Sequence, residues 1–366
     1  MAINEKRLNV TQFDFDDVKD NLKTFLKNQT EFTDYDFEGS GMSALLDVLA
    51  YNTHYLGFNA NMLANEMFLD SASLRSSVVS HAKTLGYTPN SARAPIGTIN
   101  VTLNNVGSLV TATIPAETVF TATVDDVSYQ FVTVAEYTSP ITNGVLSFSN
   151  IPIYEGTYTK NRYTVDTKNV DQKFKLTSDR ADTTTLKVQV FDSAESSNFK
   201  TYTLATDITQ VGSTSEVYFL QECGDGRFEV YFGDGALGKS LTDGNIVILE
   251  YIATNKDAAN GASTFVLGGT VGGFTDVSIT TKSVAQGGSI AQSNNSIRFN
   301  APLNFQSQNR AVTVKDYETL TQTFYPNAES ISAYGGEDAE TPVYGTVYIG
   351  VVPKSGSTLT EATKLN

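Results

Sequence analysis

Residues 233–240 read Gly-Asp-Gly-Ala-Leu-Gly-Lys-Ser and satisfy the phosphate-loop pattern G-x-x-x-x-G-K-[ST] at every position. Such a loop binds anions. Backbone N–H groups wrap the phosphates, the lysine reaches the outer oxygens, and the start of a helix completes the site. The residues after Ser240 decide the matter. Leu241-Thr242 leads into the turn pair Asp243-Gly244, and then Asn245–Tyr251 runs as a strand. Upstream, Arg227–Phe232 alternates as a strand would. The spacing predicts turns between strands, with no helix at the loop's end. Gly233, Gly235 and Gly238 then serve backbone geometry, and Lys239 is a surface or interface charge.

Other residues that could do chemistry are few. Two G-D-G tripeptides hold Asp225 and Asp234, but neither the twelve-residue EF-hand spacing nor a repeated calcium nonapeptide surrounds them. Both aspartates read as turn residues. His54 and His81 are the only histidines, and no H-E-x-x-H occurs, so a zinc site lacks ligands. Cys223 is the only cysteine, which excludes an internal disulfide, and nothing near it in sequence would activate a thiolate. Forty acidic residues make some carboxylate pair inevitable, so a glycan-hydrolysing pair stays open on residue types alone. No metal and no cofactor is expected.

The bulk numbers narrow the partners. The 366 residues carry a formal net charge of −15, with 18% charged residues and no Lys/Arg run. That balance argues against nucleic acid and anionic membrane surfaces as main partners. The start, MAINEKRLNV, has no apolar signal core, and no run of 18 apolar residues appears. The expectation is a soluble protein made in a reducing cytoplasm.

The elements that must position these residues fall into three regions of an α+β fold: helical over 1–94, β-rich over 95–290, and mixed α+β over 291–366. In the first, Thr11-x-x-Asp14 reads as a capping box before a helix bearing Val18, Leu22, Phe25 and Leu26. A long second helix spans 41–67, with Met42, Leu45, Leu46, Leu49, Thr53, Leu56, Ala60, Leu63, Ala64 and Met67 recurring at steps of three and four. Asp70 or Ser71 can cap a third helix that Gly86 closes. From Pro95 the period becomes two, with strands near Ile99–Leu103, Val127–Val134, Leu186–Phe191, Glu216–Gln221 and Ile246–Ile252. Turn pairs lie at Asn143-Gly144, Asp225-Gly226, Asp234-Gly235 and Asp243-Gly244. Gly268-Gly269, Gly272-Gly273 and Gly287-Gly288 read as loops, or as a linker near 285–295. Thr313-Val-Lys-Asp316 predicts a capping box and a helix over 314–324. Strands come next near 330–334 and 344–352, and 355–366 reads as the first turn of a helix cut short.

The second helix is apolar on two sides. Tyr51, Tyr55 and Phe58 stand where a monomer's surface helix would be charged, and a helix with two apolar sides needs partners on both. Leu45, Leu49, Tyr51, Tyr55, Leu56, Phe58 and Leu63 are therefore expected to form contacts with another chain. Cover by the following β region is the alternative left open.

Three blocks of sequence are familiar in combination. They are FTDYDFEGSGMSALLDVLAYNTHYLGFNANMLANEMFLDSASLRSSVVSHAKTLGYTPNSARAP over 32–95, FEVYFGDGALGKSLTDGNIVILEYIATNKDAANG over 228–261, and SIRFNAPLNFQSQNRAVTVKDYETL over 296–320 with the downstream YGGEDAETPVYGTVYIGVVP. Together they resemble the baseplate wedge proteins of contractile-tailed phages, in the baseplate J-like family. The resemblance covers most of the chain and is weakest around 100–215. It implies a non-enzymatic subunit of the virion's tail baseplate, with the FGDG-x-LGK block structural. It also implies partners: a second copy, other baseplate wedge subunits, a small sheath-initiator protein against the shared helical bundle, and neighbouring wedges of the inner ring. Rearrangement of that ring would relay host contact to the sheath. The family's wedge proteins are longer, with further ring contacts C-terminal to this region. The equivalent subunit of a bacterial contractile injection system and a tail-associated cell-wall hydrolase are the alternatives.

Overall fold

The computed structural model describes residues 14–353 apart from 30, 32–34, 104–109, 143–144, 170, 206–209, 272–276, 309 and 326–327. Thr11, the Asn143-Gly144 turn, Gly272-Gly273 and the segment 355–366 lie outside the described residues. The chain divides into two compact units, Met1–Ala82 and Lys83–Asn366. The fold is α+β, with a helical N-terminal segment, a β-rich middle and a C-terminal part of helices and strands.

The first unit is built from α1 (Phe15–Lys27), α2 (Gly41–Glu66) and α3 (Arg75–Thr84). Asp14 caps α1, its carboxylate accepting the Phe15 N–H at 2.7 Å. Of the face expected on α1, Val18 is buried, Leu22 and Leu26 are half-buried, and Phe25 is exposed. Ser40 caps α2 by accepting the Ser43 N–H at 3.0 Å. The cap of α3 is neither Asp70 nor Ser71. The Glu66 carboxylate, at the end of α2, accepts from Ser73 N (2.8 Å), Ser73 Oγ (2.7 Å) and Leu74 N (3.2 Å). A longer side chain from the preceding helix satisfies the orphan donors of a helix start just as a local cap would. It also fixes the α2–α3 turn.

In the second unit, two sheets are threaded through each other in sequence. The first holds β1 (Ile96–Leu103), β2 (Thr111–Ile114), β3 (Val119–Val124), β4 (Val127–Val132), β5 (Tyr137–Thr142) and β6 (Val145–Glu155). The chain then leaves to build a second sheet from β7 (Thr157–Thr164), β8 (Phe174–Lys175), β9 (Ala181–Phe191), β10 (Phe199–Leu204), β11 (Val217–Glu222), β12 (Phe228–Phe232) and β13 (Ile246–Ala253). It returns with β14 (Val266–Leu267) and β15 (Val277–Gln286). Strand order is β14-β3-β4-β6-β1-β15 in the first sheet, with β5 pairing β6 and β2 pairing β5, and β7-β13-β9-β10-β11-β12-β8 in the second. Alternation sets the cores. Ile99, Val101 and Leu103 of β1 are buried with Phe120, Phe131 and Ile153 in one, and Val188, Val230, Leu249 and Tyr251 are buried in the other.

The two crossings between the sheets are clamped. Gly156, at φ +123°, lets the outgoing chain lie against the returning one, because a Cβ there would stand 2.4 Å from the Ala253 carbonyl oxygen. The fully buried Glu155 carboxylate accepts from Thr254 Oγ1 (2.7 Å), Asn255 N (2.9 Å) and Asn255 Nδ2 (2.7 Å). Buried Asp182 does similar work, accepting from Ala94 N (2.8 Å) and Thr184 N (2.9 Å). Burial pushes its pKa up against these donors.

The stretch 285–295 is no loose linker. Arg93 and Ser289 form a β-bridge, and a Cβ on Gly288 would lie 2.5 Å from the Lys256 carbonyl oxygen. Beyond it α4 (Asn294–Ser307), capped by Ser293, occupies residues where the periodicity predicts no helix. Its interior Pro302 and scattered asparagines hide it, and only Ile297 and Ala301 are buried apolar residues. The helix α5 (Val314–Phe324) opens on the expected capping box. Thr313 Oγ1 accepts Asp316 N at 3.3 Å, and the Asp316 carboxylate accepts Thr313 N at 2.8 Å. The strands β16 (Ala328–Gly335) and β17 (Val347–Pro353) close the described chain as an antiparallel ribbon.

Candidate assembly surface

The 26-residue α2 carries three longitudinal stripes, whose residues recur at steps of three, four or seven. The first is small-sided and packed within the unit. Ser43, Leu46, Ala50 and Gly57 are buried, and α1 lies against this helix with Lys19 Nζ 2.5 Å from Asp47 Oδ1. Three of its four buried residues, Ser43, Ala50 and Gly57, are small and lie seven residues apart. The second stripe holds Leu45, Leu49, Leu56 and Leu63. The third holds Tyr51, Tyr55 and Phe58, flanked by Val48 and Met62.

All seven residues singled out from the sequence are solvent-exposed, from 45% for Leu49 to 69% for Leu63. They belong to two stripes rather than one patch. The aromatic rings form a ladder along the helix, with centroids 5.9 Å apart for Tyr51–Tyr55 and 6.5 Å for Tyr55–Phe58. The spacing signal for Val48 and Met62 was present in the sequence, but a two-sided reading of the helix left no place for a third stripe. Asp47 and Glu66 are the only charged residues of α2, and Asp47 is paired with Lys19. Desolvation raises the Glu66 pKa, but donors from Ser73, Ser77 and Leu74 outweigh it and bring the group to about 2. From Val48 to Asn65 the exposed stripes thus lie on a stretch without acidic or basic residues other than His54, with Asp47 and Glu66 flanking it.

The phosphate-loop motif takes the form of a closed structural turn. It leaves β12, and the next regular element is β13. Its N–H groups are already used: Ala236 and Leu237 donate to the Asp234 carboxylate (2.9 and 3.1 Å), Gly235 to Gly238 O (3.0 Å), Gly238 to Gly212 O (3.1 Å) and Lys239 to Ser215 O (2.9 Å). The carboxylate of Asp234 occupies the place an anion would take, and these N–H groups hold its pKa below the usual range. Lys239 Nζ lies 3.2 Å from Glu216 Oε1, which also pairs with Lys200. Asp225 accepts the Arg227 N–H and pairs with Lys175. Both aspartates are turn residues.

The remaining chemistry is equally committed. His81 Nε2 is 2.8 Å from the Glu66 carbonyl oxygen. Among the described residues no group of three or more His, Cys, Asp or Glu is placed to hold a metal ion. Burial, aided by neighbouring Glu229, pushes the Cys223 thiol up to about 11, the opposite of activation. A pocket of about 150 Å³ between α4 and the segment before β1 is lined by Tyr87, Asn90, Gln292, Ser296 and Asn300, among others, and by no acidic residue.

The helical unit thus carries a long helix with two exposed apolar stripes and only two charged residues, in one chain with the clamped β-sheets. Three family models match the chain. They are the helical domain of the baseplate wedge protein gp6-like family over 14–87, the third domain of the bacteriophage baseplate wedge protein gp6 over 162–266, and C-terminal domain I of the baseplate structural protein gp6 over 313–366. Baseplate wedge protein gp6 of Enterobacteria phage T4 is 30% identical over 380 aligned residues, covering 94% of this chain and 54% of that protein. The three matched models and this relative are all gp6-type baseplate wedge proteins, and the chain spans about half the length of this curated relative. A solved structure, the cryo-EM structure of the anti-feeding prophage (AFP) baseplate, 6-fold symmetrised, aligns with 88% of this chain and 67% of its own at 10% identity and a TM-score of 0.30.

Proposed function

We propose that the chain is a structural, non-enzymatic subunit of a contractile-tail baseplate wedge in the virion. On this reading α2 locks into an inter-subunit bundle, and the β-rich and C-terminal parts hold neighbouring wedges in register. The observation that carries the reading is the pair of exposed apolar stripes on α2, in a chain whose family builds baseplates. Two uncovered stripes at an angle to each other suit a helix with two further neighbours, such as a second copy and a different wedge subunit. A sheath-initiator protein seated on that bundle, and ring rearrangement passed on to the sheath, complete the proposed role. The regions 1–94, 95–290 and 291–366 would divide the work into bundle, scaffold and inter-wedge contact.

Covering each large apolar side chain contributes roughly 1.5–3 kcal/mol, so several together can hold an assembly. The double substitution Leu49→Asp with Phe58→Asp places one carboxylate in each stripe. It is expected to abolish incorporation into baseplates while the circular dichroism and melting of the β-rich unit stay those of the parent. Normal incorporation of that variant would refute the bundle.

A further inference from the structure

Residues 87–95 join the end of α3 to β1, and the two halves of this segment are held in different ways. In the second half, Ser91, Ala92 and Ala94 are buried, and bonds reach the chain from several elements. Asp182 Oδ2 accepts Ala94 N (2.8 Å), Ser91 Oγ accepts Thr183 N (3.0 Å), and Pro95 O accepts Glu155 N (2.9 Å). Arg93 exchanges both main-chain bonds with Ser289 (2.9 and 3.1 Å), and its Nη1 donates to Phe324 O at 3.0 Å. Residues of β6 and β9, the Ser289 bridge and the end of α5 thus anchor 91–95 together.

The first half hangs on one residue. Tyr87 OH and Asn90 N both donate to Gln292 Oε1 (2.9 and 3.1 Å), and Gln292 N donates to Asn90 O (3.0 Å). Among the described residues, the one other hydrogen bond of 87–90 runs from Thr88 Oγ1 to Leu220 O at 3.3 Å. Behind this half lies the cavity of about 150 Å³, lined by Tyr87, Asn90, Gln292 and the α4 residues Ser296 and Asn300, and by none of residues 91–95. Gln292 itself is firmly mounted. It stands just before Ser293, the cap of α4, and its Nε2 donates to Ser296 Oγ at 3.0 Å.

Local opening begins where few bonds hold the chain, and a polar cavity admits the water that replaces them. We propose that residues 87–90 are a latch closed on Gln292, which opens while 91–95 stay anchored. A pull arriving along the chain from α3 meets the latch before the anchor. Extended, the four freed residues span at most about 14 Å, so opening yields slack without disturbing either sheet. Tyr87, buried while the latch is shut, is exposed when it opens. The latch is a property of this chain, and its use, as slack when the ring rearranges, rests on the role proposed above.

Hydrogen exchange on the full chain, resolved to single amides, tests the latch. Under native conditions the Asn90 amide is expected to exchange about tenfold faster, or more, than those of Ala94 and Thr183. Equal protection of the three overturns the latch. Gln292→Ala is expected to speed Asn90 by about a further tenfold and to make Tyr87 oxidisable by hydroxyl radicals, with Ala94 and Thr183 within about twofold of the parent. Gln292→Glu keeps two acceptor oxygens, and a carboxylate suits the start of a helix, so Asn90 should stay near the parent rate. If Gln292→Ala frees Ala94 and Thr183 together with Asn90, the division into latch and anchor is overturned. Should that variant not fold, the three parent rates decide. In particles, Gln292→Ala is expected to incorporate normally and to raise the share of tails contracted without host contact. An unchanged share overturns the use of the slack in rearrangement. Failure of the bundle would show separately, as normal incorporation of the Leu49→Asp/Phe58→Asp variant.

Discussion

Gly233 shows how one residue separates a motif from its chemistry. A Cβ there would lie 2.1 Å from Leu237 O and 2.4 Å from Gly238 O, and backbone atoms in a closed turn cannot move aside. Gly233→Ala is expected to cost about 1–3 kcal/mol or more in denaturant unfolding. Lys239→Ala, which removes only a surface ion pair, should change stability by less than about 1 kcal/mol, and ATP should shift the melting temperature of neither. An ATP-dependent shift lost in Lys239→Ala would restore the phosphate-loop reading. That the loop is structural was legible from the Asp243-Gly244 turn after it. That Asp234 fills the anion site was not, because the same letters permit either occupant. Glu66 makes a second point at this scale. Its carboxyl falls from the ordinary 4.5 to about 2 in the fold, so the folded state favours the charged form. The resulting stabilisation is present above about pH 4.5 and is lost as pH falls through about 2. Glu66→Gln should therefore destabilise the helical unit by about 1 kcal/mol near neutrality, as loss of a helix cap does. The difference from wild type should vanish near pH 2, and urea unfolding across pH would reveal a gap that persists there.

At the scale of elements, local signals were readable where caps and periodicity agree. The second helix was expected over 41–67 and is Gly41–Glu66, and α5 begins at its capping box. Thr313→Ala should cost about 1 kcal/mol and raise hydrogen exchange selectively in the first turn of α5. Unchanged protection there would deny the box its role. Local signals misled where a distant group replaces a local one. The cap of α3 comes from Glu66 rather than from Asp70 or Ser71, and α4 tolerates Pro302 in its interior. On α2 most of the apolar period belongs to exposed leucines, while Ser43, Leu46, Ala50 and Gly57 make the covered face. Hydropathy marks what wants cover and says nothing of which side receives it inside one chain.

For the whole molecule, the interleaving of the two sheets was out of reach of the sequence. Alternation located many strands, but the pairing of β1 with β15 joins residues such as Val101 and Ile279, and no local rule encodes so long a separation. The clamps at Glu155 and Asp182 belong to the same class, since each is made by residues far apart in the chain. The assembly surface is the reverse case. The seven residues proposed to form it could be named in advance because an apolar stripe on a helix with few charges is a local property, and their exposure agrees with that reading. The central claim is that this surface is covered in the particle, and hydroxyl-radical footprinting tests it most directly. Tyr51, Tyr55, Phe58 and Met62 should be readily oxidised in the isolated chain and strongly protected in the assembled baseplate. Equal oxidation of these four residues in both would contradict it.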